Sequence, residues 1–450
     1  MATIDRSRLK LLLLEEERRF VAEHPKSKAL FERARKSILG GVPMNWMVRW
    51  AGAFPVFVAE ASGAHFTDVD GCRYLDLCLG DTGAMTGHSP APVVQAARDR
   101  LGRGITLMLP TEDAIAVGEE LARRFGLPYW QMTLTATDAN RFVIRLARHI
   151  TGRPKILVFN WCYHGTVDES FITLRDGRSA VRPGNLGPPV DPGVTTRVVE
   201  FNDLAALEGA LRHGDVACVL AEPAMTNIGI IHPDEGYHRA LRELTRSAGS
   251  LLVIDETHTI CAGPGGYTRA HGLEPDLLTL GKAVGSGVPG AVYGMSAEVA
   301  ERIRSRISLN EADTGGIGGT LAGNALSLAA MRATLAQVLT QEAYDRTIPL
   351  AQRWEAGVAG VIHEFGLPWH VTRLGCRAEY WLRPAPPRNG SQAAASADPD
   401  LERYMHLAAL NRGILLTPFH NMALICPAVT EGDIDRHTAV FRESVAALTR

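Results

Sequence analysis

Residues 250–282 read SLLVIDETHTICAGPGGYTRAHGLEPDLLTLGK and contain two short apolar runs, each followed by a charged side chain. The first run leads to Asp255 and the second to Lys282, which precedes the Gly-rich segment AVGSGVPGA. Short apolar runs bounded by Gly, Pro and polar residues are typical of strands buried on both faces. Because ligands of open parallel sheets bind at the carboxyl ends of the strands, these two side chains mark a candidate site.

Further apolar runs of strand length lie between about residues 90 and 330, in the segments KILVFN, ACVLAEP and GAVYGMS. Helical patterns separate the runs, for example at 205–213 and 236–249. Alternating short strands and helices predict an α/β fold, with a mostly parallel sheet and helices on both faces. The segment ACVLAEP adds Glu222 to the polar residues at strand ends.

The N-terminal region predicts two kinds of structure. Residues 5–22 follow an amphipathic helical pattern, and the segment 30–76 is short and turn-rich. Within it, alternating apolar and polar residues are interrupted by Ser62-Gly63 and Asp70-Gly71, which predicts a small β-meander.

After residue 331 the pattern predicts one long helix over 331–366, a strand in RAEYWLRP, and helices at 399–412 and 431–449. The segment 384–400 is rich in Pro, Ala and Ser without apolar periodicity, which predicts a mobile surface loop. These elements indicate a smaller α+β domain. The expected organisation is an N-terminal helix and β-meander segment that packs with the small domain, a large domain, and the small C-terminal domain, over residues 1–76, 77–330 and 331–450.

Composition excludes several classes of protein. The chain has 450 residues, of which 46% are hydrophobic and 21% charged, as in a folded globular protein. Its 47 basic and 49 acidic side chains are mixed along the sequence, so we expect neither nucleic acid nor membrane lipid as a partner. The apolar residues 11–14 are followed at once by three glutamates, so they are too short for a signal peptide or a membrane span.

The cysteines predict a reducing environment. There are seven, an odd number, and none lies in a CxxC pair or in the spacing of a zinc site. We therefore expect a cytoplasmic protein without a disulfide framework and without a bound metal.

On the residues alone, Asp255 and Lys282 could equally form a buried ion pair. However, LLVIDE followed 27 residues later by TLGK resembles the aspartate and lysine signature of class III (ω-type) pyridoxal-phosphate (PLP) aminotransferases. The resemblance covers nearly the whole chain and includes GGV, DVDGCRYLD, GH, YHG, EP and GT in that order. It is strongest to the glutamate-1-semialdehyde aminomutase branch, which also contains β-phenylalanine aminotransferases. It implies PLP fold type I with PLP as the cofactor.

This resemblance implies roles for the two charged residues. The amine of Lys282 would hold PLP as a Schiff base and then carry protons to and from the substrate carbon. Asp255 would keep the pyridine nitrogen protonated by direct charge pairing.

The resemblance also implies a phosphate site at the start of the helix after TLTATDAN. Backbone N–H groups at a helix start favour an anion. Relatives usually read Ser-Gly-Thr-Glu-Ala there, whereas this chain has Thr135, Ala136 and Thr137, followed by Asp138 and Ala139. Ala136 replaces the glycine that lets the backbone approach the phosphate, so weaker phosphate binding is an open alternative.

Four further residues are implied to contact the cofactor. Tyr163 of YHG would stack on one face of the pyridine ring, with a core tyrosine as the alternative. Thr257 would meet the other face, where relatives usually have valine. Asn227 would bind the ring hydroxyl, or it is a surface loop residue. Glu222 is the glutamate of the EP landmark.

Thr320, in GGTLAGN, corresponds to a residue that reaches the phosphate of the neighbouring subunit in relatives. The resemblance therefore implies a homodimer. The alternative for Thr320 is a helix N-cap.

The substrate is expected to carry a carboxylate, which arginine binds with two parallel hydrogen bonds. Candidates are Arg49, flanked by Trp46 and Trp50, and the C-terminal residues Arg377 and His420. The aromatic residues favour a bulky substrate, or a packed dimer interface. Arg377 is either a second anchor or an ion-pair partner of Glu379.

We therefore expect a PLP-dependent aminotransferase (transaminase) that exchanges an amino group between an amino acid, with aromatic and β-amino acids as candidates, and an oxo acid or ketone. The alternative is an aminomutase or racemase, because fold and cofactor site do not separate these activities. A catalytically silent PLP-binding protein is the third hypothesis, and the intact Lys282 and Asp255 argue against it.

Overall fold

The computed structural model describes residues 4–187, 190–306 and 316–449. The chain forms two compact units, each considered by itself. The terminal unit comprises residues 1–90, 342–386 and 396–450, and the central unit comprises residues 91–341 and 387–395. The domain boundaries that we predicted after residues 76 and 330 stay a prediction.

The α-helices of the described chain have the following bounds: α1 Arg6–Glu23, α2 Pro25–Ala34, α3 Ala91–Leu101, α4 Glu112–Phe125, α5 Ala136–Thr151, α6 Pro192–Thr195, α7 Leu204–Leu211, α8 Tyr237–Ser247, α9 Gly266–Ala270, α10 Ala297–Arg304, α11 Ala325–Ala333, α12 Gln341–Glu364, α13 Gly390–Ala394, α14 Pro399–Leu410 and α15 Glu431–Thr449. The strands have these bounds: β1 Val58–Ser62, β2 His65–Asp68, β3 Arg73–Asp76, β4 Tyr129–Thr133, β5 Lys155–Phe159, β6 Ile172–Arg175, β7 Arg178–Val181, β8 Thr196–Val199, β9 Val216–Ala221, β10 Leu251–Asp255, β11 Leu277–Leu280, β12 Ala291–Met295, β13 His370–Leu374, β14 Arg377–Trp381, β15 Ile414–Leu415 and β16 Met422–Leu424.

The central unit is built on a seven-stranded sheet in the order β4-β12-β11-β10-β9-β5-β8. Strand β12 runs antiparallel to both of its neighbours, and the pairs from β11 to β8 are parallel. The predicted mostly parallel α/β fold is therefore confirmed.

Helices cover both faces of this sheet, as strand β10 illustrates. All five of its residues are buried, which explains why its sequence is continuously apolar up to the aspartate. Leu251 and Val253 pack in one core cluster with the apolar face of α5. Leu252 and Ile254 point to the other face and lie beside α8.

The terminal unit contains two small sheets. The predicted meander forms β1, β2 and β3, and β15 adds to β3 in parallel. A second sheet has the order β13-β14-β16. Phe20, Phe54, Phe66 and Tyr74 form the aromatic centre of one core, with stacked rings 4.6 Å apart at Phe66 and Tyr74.

The single helix predicted over 331–366 is wrong. Helix α11 ends at Ala333, a π-helical turn covers Thr334–Val338, and α12 begins at Gln341. The break is stabilised by Arg124, a buried guanidinium that donates to the carbonyl oxygens of Leu335 (2.5 Å) and Leu339 (2.8 Å). A cation from another helix thus satisfies the carbonyls that the interrupted ladder leaves without helical partners.

The segment 384–400 also differs from the predicted loop, because it contains α13 and the start of α14. Asn389 caps α13 by accepting a hydrogen bond from the backbone N–H of Gln392 at 3.0 Å. Small polar residues without apolar periodicity hid this cap from sequence analysis.

Among residues 4–187, 190–306 and 316–449, no helix combines the length and the apolar character needed to cross a bilayer.

Candidate active site

Strands β9, β10 and β11 end side by side at one edge of the central sheet. Asp255 is paired with Thr279 in the parallel register of β10 and β11, and Lys282 follows three residues after Thr279. Lys282 has a φ of 48°, in the left-handed region that only Gly occupies readily. Such backbone strain at a strand end is typical of functional sites.

Asp255 lies at the centre of the site and is only 4% exposed. Its Oδ2 atom is 2.9 Å from Nδ2 of Asn140 and 2.9 Å from Nδ1 of His164, and its Oδ1 atom accepts from the backbone N–H of Thr257 at 3.1 Å. Burial alone would raise the pKa of this carboxyl, but the hydrogen bond and charge of His164, with the bonds from Thr257 and Asn140, lower it to about 2. Asp255 is therefore a charged carboxylate at neutral pH.

His164 is 1% exposed and forms the buried partner of Asp255. Burial on its own lowers the pKa of the imidazole, but the neighbouring Cys162 and Asp255 outweigh burial and raise it to about 10. The Nδ1–H group therefore donates to the carboxylate of Asp255. This hydrogen bond fixes the orientation of the imidazole ring and of the carboxylate.

Asn140 was missed in the sequence analysis, although it connects three elements of the site. It lies on the buried face of α5, its Nδ2 also donates to the backbone oxygen of His164 (3.1 Å), and its Oδ1 accepts from Oγ1 of Thr279 (2.8 Å). An asparagine among the apolar residues of α5 was the available signal, because a buried amide must find hydrogen-bond partners.

The start of α5 lies directly beside the lysine turn. A Cβ atom on Gly281 would come within 2.8 Å of Cβ and 3.2 Å of the backbone nitrogen of Ala136. Thr135 is the N-cap residue, and its Oγ1 accepts from the backbone N–H of Asp138 at 3.2 Å. The structure therefore brings the predicted phosphate segment and the predicted Schiff-base lysine together.

Thr137 lies against the YHG segment. Its Oγ1 accepts from the backbone N–H of Thr166 at 3.0 Å, and a Cβ atom on Gly165 would come within 2.1 Å of that oxygen. Gly165 also has a φ of 79°, so the close approach explains why the motif has glycine here.

The other predicted cofactor residues lie in loops, or at a strand end, of the same central unit. Tyr163 is half-buried, with its ring 6.2 Å from that of Phe171. Asn227 donates from Nδ2 to the backbone oxygen of Trp161 at 2.8 Å, so it holds the loop before Tyr163. Glu222, buried at the end of β9, accepts from the backbone N–H of Thr226 at 3.1 Å.

The site has features that a phosphorylated pyridine aldehyde requires. Oδ1 of Asp255 is a buried, charged acceptor for a protonated ring nitrogen. Two buried polar atoms beside it, Oγ1 of Thr257 and Nε2 of His164, have no hydrogen-bond partner among the residues that the structure describes. The first N–H groups of α5 have no partner inside the helix and face an anion favourably. The donor set therefore fits PLP, with Lys282 as the reactive amine.

A second basic side chain, that of His258, contacts Lys282 and was also missed in the sequence analysis. Nε2 of His258 is 2.7 Å from Nζ of Lys282. The segment after Asp255 reads ETHT, so the histidine was visible, but spacing along the chain did not reveal its contact.

Thr320 is exposed in the central unit and does not cap α11. The N-cap residue is Asn324, whose Oδ1 accepts from the backbone N–H of Ser327 at 3.0 Å. The N-cap alternative for Thr320 is therefore wrong, and its reach to a partner subunit stays a prediction.

The predicted substrate residues belong to the terminal unit. Arg49 is exposed after a short 3₁₀ turn. Trp46 and Trp50 are half-buried, and the Trp46 ring lies 5.7 Å from that of Phe419. Their roles in substrate binding stay predictions.

Arg377 is 1% exposed in β14. It donates to Oγ1 of Thr82, and its Nη1 lies 3.0 Å from the sulfur of Met422. Nδ1 of His420 lies 3.7 Å from the buried carboxylate of Glu379. These contacts give Arg377 and His420 structural partners inside the terminal unit.

Comparison with known proteins identifies the family. A family model described as aminotransferase class-III matches residues 46–359. The chain is 51% identical to a glutamate-1-semialdehyde-aminomutase from Pseudomonas aeruginosa PAO1 solved in complex with PMP, with a TM-score of 0.96 over 99% of each chain. It is 35% identical over 434 residues to a glutamate-1-semialdehyde 2,1-aminomutase of Sorangium cellulosum (strain So ce56), which covers 94% of this chain and 97% of the relative. An omega-transaminase from Sphaerobacter thermophilus is 28% identical, with a TM-score of 0.87 over 95% of this chain and 99% of that one.

These relatives correct the expected activity. The sequence analysis favoured an aminotransferase over an aminomutase, but the relatives with the higher identities are aminomutases, so the main expectation is wrong and the alternative is better supported. The resemblance to class III enzymes and the assignment of PLP as the cofactor are confirmed. The chain belongs to the class-III aminotransferase family of PLP-dependent enzymes.

Proposed function

We propose that this protein is a PLP-dependent aminomutase that moves an amino group between neighbouring carbon atoms of one small carboxylate-bearing substrate of the glutamate-1-semialdehyde type. The observation that carries the proposal is the identity of 51% to an aminomutase over 99% of both chains, against 28% to a transaminase. The site geometry is compatible with it, because the Lys282 and Asp255 machinery serves both activities.

When bound, PLP supplies an electron-withdrawing ring and an aldehyde that condenses with amines, which acidifies the C–H bond beside the amino group. Nζ of Lys282 provides the amine that anchors the cofactor and then accepts and returns the proton of the substrate carbon. Asp255 would hold a proton on the ring nitrogen by charge pairing, and its lowered pKa keeps it charged for this task.

The remaining residues orient these groups. His164 and Asn140 fix the carboxylate of Asp255 from one side, with both bonds at 2.9 Å. The start of α5 would bind the phosphate of PLP through its backbone N–H groups. Thr137 assists, because its Oγ1 already accepts from Thr166 and its own hydrogen can be donated to a phosphate oxygen.

An aminomutase needs no second substrate. The amino group and the carbonyl oxygen exchange places on adjacent carbons, so no net oxidation or reduction occurs. The site must therefore retain the amine and the proton between the two half-reactions. Nζ of Lys282 would carry the proton between them.

We also propose that the enzyme acts as a homodimer in which Thr320 contacts the phosphate of the neighbouring site. Thr320 is exposed in the central unit. The same unit exposes Leu107, Met108 and Leu109 at 45%, 78% and 75% of their surface, which is an apolar stretch that a second copy would cover.

The proposal is tested by adding glutamate-1-semialdehyde to the purified holoenzyme without any added oxo acid or amino donor. We expect conversion to the isomer with the amino group on the former aldehyde carbon, 5-amino-4-oxopentanoate, identified by mass spectrometry and NMR. If conversion instead requires an added oxo acid in stoichiometric amount, the proposed isomerase activity is wrong. Lys282→Ala serves as the control for reaction in the absence of enzyme.

A further inference from the structure

The contact between His258 and Lys282 follows from the register of two parallel strands. Asp255 pairs with Thr279, and the backbone N–H of Glu256 donates to the carbonyl oxygen of Thr279 at 2.9 Å. His258 lies three residues beyond Asp255, and Lys282 lies three residues beyond Thr279. Both side chains therefore emerge from the same edge of the sheet, and their terminal nitrogens meet at 2.7 Å.

The backbone on the histidine side is held by the buried carboxylate of Glu256. This carboxylate accepts hydrogen bonds from Oγ1 of Thr259 (2.6 Å) and from the backbone N–H groups of Tyr267 (3.1 Å) and Thr268 (2.5 Å). A Cβ atom on Gly266 would come within 2.4 Å of Oε2 of Glu256, so the loop closes tightly around the carboxylate. His258 is thus presented by a fixed turn.

The backbone on the lysine side is equally constrained. Lys282 has a φ of 48°, and Gly281 before it packs against Ala136 so closely that a Cβ atom would lie at 2.8 Å. The contact therefore joins two side chains whose backbones are fixed, unlike a pair of long flexible side chains meeting in solvent.

Two nitrogens at 2.7 Å share one hydrogen. Either the ammonium of Lys282 donates to neutral Nε2 of His258, or an imidazole N–H donates to the lone pair of the amine. Lysine is the group that takes up and returns a proton in this chemistry. The first arrangement, in which the ammonium of Lys282 donates to His258, would therefore hold the protonated amine in place during the reaction.

We propose that His258 is a positioning residue for Lys282, whose Nε2 accepts a hydrogen bond from Nζ whenever the lysine is released from the cofactor. This inference rests on the proposed function only through the use of Lys282 as a proton carrier. When Nζ takes a proton, a substrate C–H bond breaks, an N–H bond forms, and the electron pair stays with the substrate and cofactor. The ammonium then donates to His258, which keeps the amine aimed at the substrate until the proton returns to a carbon.

The test compares His258→Leu, which removes hydrogen bonding, with His258→Gln, which keeps an acceptor oxygen. His213→Leu, at an exposed position of the same unit, is the matched control. For His258→Leu we expect kcat to fall by about 10-fold to 100-fold, the usual effect of losing a hydrogen bond to a charged group, with little change in KM. His258→Gln should recover most of the loss, and His213→Leu should match the wild type.

A second readout uses no substrate. Apoprotein is mixed with PLP, and the rate at which the visible absorption of the lysine-bound cofactor appears is recorded at one pH. We expect this rate to fall by about 10-fold in His258→Leu, because the amine is no longer held towards the cofactor, and to recover in His258→Gln.

The inference is overturned if the wild type and the three variants attach PLP at the same rate. It is also overturned if His258→Leu and His258→Gln lower kcat and the rate of PLP attachment equally. If wild type fails to isomerise the proposed substrate while cofactor attachment still depends on His258, the proposed function falls and the role of His258 stands.

Discussion

Nδ1 of His164 lies 2.9 Å from Oδ2 of Asp255, and both side chains are at most 5% exposed. The pair couples the YHG segment to the end of strand β10. The histidine and the amide of Asn140 both donate to Oδ2, whereas Oδ1 accepts the backbone N–H of Thr257. The carboxylate would therefore be held in place to pair with the ring nitrogen of a bound cofactor. The relationship therefore sets both the charge and the orientation of Asp255.

Asp255→Asn should retain cofactor but lose most turnover. The amide keeps the volume of the side chain, but it is neutral and cannot hold a proton on the ring nitrogen by charge. We expect kcat to fall by at least about 100-fold, comparable to the loss of one preorganised electrostatic contact. Bound PLP is quantified by absorbance and turnover by product formation. A near-normal kcat in this variant would remove Asp255 from the proposed role.

His164→Gln should lower the free energy of unfolding in a pH-dependent way. The folded-state pKa of His164 is raised to about 10 from its usual 6.5, so its stabilising contribution is fully present below pH 6.5 and disappears as the pH rises to about 10. Below pH 6.5 we expect the free energy of unfolding of the variant to be lower by about 2 kcal/mol, the scale of a charged hydrogen bond. Urea unfolding of both proteins gives the difference. A difference that is the same below pH 6.5 and near pH 10 contradicts the assignment.

Lys282→Ala should abolish both turnover and the borohydride-reducible bond to PLP. The structure supports this expectation, since Lys282 follows strand β11 and meets the start of α5 through Gly281. The measurement is peptide mass mapping of the wild type after reduction, with the variant as the blank. Reduced cofactor attached to a different lysine would refute the assignment.

The parts of the site that the sequence predicted are those that strand ends mark directly. A buried strand is continuously apolar, so its first polar residue is visible, and this identified Asp255, Glu222 and the turn before Lys282. The helix start at Thr135 was visible for a similar reason, because an N-cap residue precedes an apolar periodic pattern.

The sequence analysis missed contacts between distant segments. Asn140 and His164 reach Asp255 across 115 and 91 residues, and His258 meets Lys282 through strand register. The long helix was mispredicted because the carbonyls at its break are satisfied by Arg124, a residue 211 positions away from Leu335. Such pairings leave no periodic signal in the sequence.

Gly281→Ala should impair cofactor binding, and Ala136→Gly should partly rescue it. The new Cβ atom would lie 2.8 Å from Cβ of Ala136, so it pushes the phosphate segment away from the lysine turn. We expect PLP affinity to fall by about 10-fold or more, the scale of an overpacked contact. In the double variant the approaches of 3.2 Å to the backbone nitrogen and 3.4 Å to the Cα atom of residue 136 remain. Kd for PLP is measured by fluorescence quenching for both single variants and the double variant. If the changes in binding free energy of the two single variants simply add in the double variant, the two side chains do not clash directly.

Arg49→Ala should weaken substrates that carry a carboxylate and spare amines that lack one. The side chain is exposed in the terminal unit, so it can meet a soluble anion without first breaking a buried ion pair. We expect kcat/KM to fall by about 30-fold, near 2 kcal/mol and the lower end for truncating one partner of a charge pair. Arg377→Met is the comparison, because Arg377 is buried against Thr82 and Met422 and should act mainly on stability, read as Tm. If Arg49→Ala leaves kcat/KM unchanged and a folded Arg377→Met protein loses it, the carboxylate is bound by Arg377 and the assignment to Arg49 is wrong.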